Sequence, residues 1–175
     1  MEESVSGFER QLNSLYGDST SLAILRRGVG KPSDQCPQCW PFTMPFSNSW
    51  RDEQAIHYAV TLYALHQQSQ TENMNFKGNG LGKASGRLVE YHPSKEAIKR
   101  RFSAAITADT LGELVVHLRG LVTLFRSNSI PLDYMQLRWD FYHWQDPLQK
   151  NKYRRQWGRD FYQTLLALDK EKQNV

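Results

Sequence analysis

The chain has 175 residues, 39% of them hydrophobic and 12% aromatic, which is enough apolar material for a packed core and excludes wholesale disorder. A formal net charge of +4 and a sequence pI of about 9.1 tilt it mildly toward a polyanionic partner. No apolar run is long enough to span a bilayer, and the acidic, polar residues 1–6 lack the basic-then-apolar order of a secretory signal, so the expected location is the cytoplasm with no membrane partner.

In chain order, Phe8, Leu12 and Leu15 recur at helical spacing up to Tyr16-Gly17. Asp18 is placed to cap a second helix carrying Leu22 and Leu25, with Gly28 closing it. Residues 28–48 hold Pro32, Pro37, Pro41 and Pro45, so no regular helix runs through them, and Trp40, Phe42 and Phe46 are expected to anchor this irregular stretch. Ser49-Trp50-Arg51-Asp52 has the form of a capping box and predicts a helix with Ala55, Ile56, Ala59, Leu62 and Tyr63 inward, fading near Gln67. Residues 68–86, polar and rich in glycine (Gly78, Gly80, Gly82, Gly86), read as a surface loop.

Beyond it, Pro93-Ser94 predicts a helix with Ile98, Phe102, Ala105 and Ile106 inward. Asp109 or Thr110 opens the next, with Leu111, Leu114, Val115, Leu118, Leu121, Val122 and Phe125 at a 3.6-residue period. Asp133 caps a helix burying Tyr134, Leu137, Phe141 and Trp144. A last helix follows Pro147 and buries Tyr153, Trp157, Phe161, Leu165 and Leu168. The class is all-α, a two-lobed helical bundle: residues 1–92 form a lobe with proline-rich and glycine-rich loops, and residues 93–175 a C-terminal bundle.

Helical spacing separates the cations from these apolar stripes. Arg100 and Arg101 flank the inward Phe102, Arg119 and Arg126 lie on one line of their helix, Arg26 and Arg27 precede Gly28, and the glycine-rich stretch carries Lys77, Lys83 and Arg87. Lys152, Arg155 and Arg159 follow at helical intervals near the end. Arginine suits phosphate because its planar fork donates two parallel hydrogen bonds. The bland reading is a solvated face, or a cation answering a helix dipole at Arg26, Arg27 and Arg126.

Chemistry is harder to find. Cys36-Pro-Gln-Cys39 is too closely spaced for a disulfide framework, and a reducing compartment keeps both as thiols packing under Trp40. A structural zinc would need four ligands, and no second cysteine pair exists. Residues 77–83 lack the G-x-x-x-x-G-K-[ST] order of a nucleotide-binding loop. His117 and His143 border apolar stripes, and Asp140 and Asp160 are expected to pair with a neighbouring arginine. No active site, metal or cofactor is implied, and the chain reads as non-catalytic.

The ordered motifs carry a family resemblance. Leu25-Arg26-Arg27-Gly28, Gly80-Leu81-Gly82-Lys83-Ala84, Arg100-Arg101-Phe102, His117-Leu118-Arg119, Leu132-Asp133-Tyr134, Trp144 at a helix end and Trp157-Gly158-Arg159-Asp160-Phe161-Tyr162 succeed one another over residues 22–168. Together they resemble the CasB family, the small subunit of the type I-E CRISPR surveillance complex Cascade; the cysteine loop adds nothing to the likeness. The resemblance implies an all-helical, two-lobed subunit that self-associates as a dimer among the other Cascade subunits. It also implies contact with guide crRNA and target DNA, helping to hold the displaced single strand of the R-loop in antiviral defence. Phosphate contact carries over onto Arg27, Lys83, Arg101 and Arg119, whose positions match the motifs, and by neighbourhood onto Arg26, Arg87, Arg100 and Arg126. The competing reading is a helical protein–protein spacer without direct nucleic-acid binding.

Overall fold

The structure, a computed structural model, describes residues 2–174. Among them eight α-helices follow in order: α1 (Glu2–Leu15), α2 (Ser19–Arg26), α3 (Trp50–Gln67), α4 (Leu81–Tyr91), α5 (Lys95–Ile106), α6 (Leu111–Ser127), α7 (Tyr134–Trp144) and α8 (Lys150–Gln173). The all-α expectation holds. Three 3-10 turns, Ser33–Gln35, Pro37–Phe42 and Met44–Phe46, occupy the proline-rich stretch, where proline denies the chain the amide donors of a longer helix. The starts are the capped ones that the sequence predicts. Side chains of Asp18, Ser49, Ser94 and Asp133 accept from the N–H three residues on, and Thr110 rather than Asp109 opens α6.

Buried on nearly every side, α3 packs against α2, α6 and α7. Its polar residues are therefore held by internal partners. Thr61 donates to His57 O at 2.8 Å, Met74 N–H donates to Gln67 Oε1 at 2.9 Å, and His66 Nδ1 pairs with the Tyr134 hydroxyl at 2.9 Å. Asp52, three residues after Ser49 in the capping box, also receives Arg138 of α7, with side chains only 6% and 4% exposed. Replacing one member of such a pair strands the other charge in a poorly solvated place. One apolar cluster runs continuously from Phe8 through α3 and α6 to Phe161.

Three local expectations are corrected. The glycine-rich stretch ends in a helix: α4 begins at Leu81 and lies against α8. A Cβ on Gly82 would strike the Trp157 carbonyl oxygen, and one on Gly86 would sit 2.7 Å from Thr164 Cβ, so these glycines permit close helix approach rather than loop flexibility. Cys36 and Cys39 are joined in a disulfide instead of standing as thiols, because the intervening 3-10 turn folds the two buried sulfurs together. Gly28 makes room for them, since a Cβ there would lie 2.8 Å from Cys39 Sγ and 2.9 Å from Cys36 Sγ, and it follows the C-cap Arg27 with its N–H donating to Leu25 O at 2.9 Å, closing α2 as expected. Finally, Tyr153, Leu165 and Leu168 are half-buried rather than buried.

Candidate nucleic-acid interface

The inward stripes of α5 (Ile98, Phe102, Ala105) and α6 (Leu114, Leu118, Leu121) hold these helices together and turn Arg101 and Arg119 outward. Arg101 Nη1 lies 3.3 Å from where a Cβ on Gly120 would stand, so the guanidinium crosses α6 beside Arg119. Both arginines are exposed, and neither meets a protein acceptor among the described residues. Arg100 is exposed one residue round α5. Its neighbour Lys99 is paired with Glu96 at 3.0 Å.

The other cations fall into separate places. On α4, Lys83 and Arg87 share the exposed face one turn apart, and Lys83 donates to Gly78 O at 3.3 Å. Arg26 is half-buried in the last turn of α2, and Arg27 is exposed at its cap; α2 packs chiefly on α3 and the second 3-10 turn. Arg126 is committed elsewhere. It donates to Leu65 O at 3.3 Å and to Gln68 Oε1 at 2.7 Å, closing the end of α3 where unpaired carbonyls favour a cation. The structure thus brings Arg101 to Gly120, the residue after Arg119, leaves Lys83 with Arg87 and Arg26 with Arg27 as separate pairs, and ties Arg126 into the body.

The acids beside aromatics depart from expectation. Asp140 meets no arginine: it accepts from Gln136 Nε2 and Trp157 Nε1, each at 2.7 Å, and Asp160 accepts from Gln156 at 2.9 Å. Burial pushes the Asp140 carboxyl up to about 7 against the pull of those two donors. Burial likewise drives His66 down to about 3 and lowers His57, so both rings are neutral supports of α3.

A second group escaped sequence reading. Beside the exposed Gln136, α7 carries a half-buried cluster of Trp139, Tyr142 and His143, with Tyr142 packed against the core. The His143 ring lies 4.6 Å from Trp139 and stacks on Tyr153 of α8 at 5.1 Å. Cations end the series, with Arg51 over Tyr142 at 4.7 Å and Lys152 near Tyr153 at 5.9 Å. The signal was rings flanking the inward stripe of Leu137, Phe141 and Trp144 on the same helix.

The fold and its surface define an all-helical protein that presents dispersed arginines and lysines to solvent. A family model described as CRISPR-associated protein Cse2 matches residues 21–162, and the chain belongs to that family. It is similar to CasB from Thermobifida fusca at 33% identity, covering 90% of this chain and 94% of that one, with a TM-score of 0.74. CasB from Thermus thermophilus is 22% identical over 90% and 97% of the two chains, TM-score 0.72. A chain of a structure described as a CRISPR RNA-guided surveillance complex is 19% identical over 97% and 98%, TM-score 0.79, a likeness of fold. Among curated proteins none matches the chain.

Proposed function

We propose that this protein is the non-catalytic small subunit of a type I-E Cascade complex. In this reading it binds the backbones of guide crRNA and target DNA without sequence preference and steadies the displaced strand of the R-loop. Membership of the Cse2 family supports the assignment, as does the likeness to a chain of an RNA-guided surveillance complex. The observation that carries direct binding is the Arg101 guanidinium laid across Gly120 beside Arg119, two exposed forks without protein acceptors among the described residues. R-loop formation is a nearly balanced exchange of duplex for heteroduplex, so a few backbone contacts can tip it.

The test is to assemble the complex with Arg27, Arg101 and Arg119 all replaced by alanine and to footprint the displaced strand. The expected result is a variant retained in the complex, with weakened target binding and lost protection. Intact protection and affinity would overturn the reading. A second reading, the protein spacer, draws on Tyr91, Tyr162 and Leu166, exposed apolar side chains on α4 and α8. It gains if the arginine variant drops out of the complex instead. Dimer formation and a cytoplasmic location belong to the main reading, and no helix among the described residues is long and apolar enough to cross a membrane.

A further inference from the structure

Phosphate contacts alone leave the rings of α7 unexplained. Beside the exposed Gln136, α7 carries three half-buried rings, Trp139, Tyr142 and His143, of which His143 has both ring nitrogens buried. Two clefts of about 310 Å³ each adjoin along this face and share Asp133 and Gln136 as walls. Trp139, Met135 and Lys77 line the first; Tyr153, Lys83 and Lys152 line the second. Each cleft therefore sets lysine beside an aromatic ring, Lys77 with Trp139 and Lys83 and Lys152 with Tyr153.

The acids of these clefts are largely engaged by protein donors. Asp133 accepts from Gly78 and Gln136 N–H groups, Asp140 from Gln136 and Trp157, and Asp160 from Gln156. Lys77 and Lys152 have no carboxylate partner among the described residues, and Glu9 stands exposed at the first cleft. Burial, reinforced by nearby Arg51 and Lys152, lowers the His143 pKa, which favours a neutral ring able to stack on Tyr153.

The geometry points to a base-stacking platform: unpaired bases of single-stranded nucleic acid lie on Trp139 in the first cleft and on Tyr153, backed by His143, in the second, while Lys77, Lys83 and Lys152 hold the flanking phosphates. Flat bases joined by anionic links match rings interleaved with cations, and every base offers a π-face, so the platform needs no sequence preference. Lys83 belongs to both faces and makes the platform continuous with the α4 cations. The inference rests on the nucleic-acid reading above but adds contacts that arginine and phosphate do not supply.

Affinity of the purified full chain for an oligothymidylate and for an abasic strand of equal length separates the two, because both strands carry the same phosphates. The base-bearing strand is expected to bind about 5- to 150-fold tighter, the range that stacking on aromatic side chains gives. Trp139→Leu should erase most of that preference and Trp139→Phe keep most of it. Equal affinity of the unaltered chain for the two strands would overturn the platform while leaving the phosphate reading in place. Binding to neither strand at low salt would overturn both, and a preference untouched by Trp139→Leu would overturn the assignment to these rings.

Discussion

Gly82→Ala and Gly158→Ala make opposite demands on the same pair of helices. In an exposed helix, alanine in place of glycine is worth about 1 kcal/mol of propensity. Gly158 sits in α8 with nothing within 4 Å of an added Cβ, so that gain should be realised. Gly82 faces α8, where the added Cβ would strike Trp157 O and stand 2.8 Å from Asp160 Cβ and 3.1 Å from Phe161 N. Two of these atoms are backbone and cannot swing aside, so α4 must move off α8. Overpacking of this kind costs about 1–3 kcal/mol, and at its upper end outweighs the propensity gain by about 2 kcal/mol. At about 2–4 °C per kcal/mol for a chain of this size, Gly82→Ala should melt as much as about 4–8 °C lower and Gly158→Ala about 2–4 °C higher, followed by circular dichroism. A Gly82→Ala protein stabilised as much as Gly158→Ala would refute the α4–α8 packing.

Other outcomes follow from single contacts. Asp140 has its folded pKa raised from 3.8 to about 7, so its contribution is fully present below pH 3.8 and is lost as pH rises through about 7. Asp140→Asn should flatten that part of the stability–pH profile measured by urea unfolding, and an unchanged slope would count against the buried carboxyl. Arg138→Met leaves Asp52 buried without its partner and is expected to cost about 3–5 kcal/mol in denaturant unfolding. A loss below 1 kcal/mol would contradict the burial of that pair. Arg126→Ala should lower stability by loosening the end of α3 yet leave nucleic-acid affinity unchanged, read by melting and binding on the same sample.

What could be read from the sequence was local. Asp18, Ser49, Ser94 and Asp133 announce their helices because the capping bond spans three residues, and the α6 stripe announces its inward face because period alone decides it. Glycine spacing misled at α4, since low propensity argues for a loop while the close passage of α8 makes Gly82 and Gly86 necessary. The partners of Asp140 and Asp52 lie on other elements, Trp157 in one case and Arg138 in the other, so no local rule finds them. The cysteines failed for a similar reason: compartment and composition favour thiols, but the fold of one 3-10 turn brings their sulfurs together. Among the cations, sequence gave outward direction correctly for Arg101 and Arg119. It could not see that Arg126 reaches across to α3.

The salt dependence of target binding by the assembled complex tests phosphate contact most directly. Each phosphate neutralised on a single strand contributes about −0.7 to the slope of log affinity against log salt, so about five contacts through this subunit contribute about −3.5. Replacing Arg27, Arg101 and Arg119 together by alanine should make the slope shallower by about 2 while the subunit stays assembled. An unchanged slope and unchanged affinity in that variant would contradict phosphate binding by these arginines.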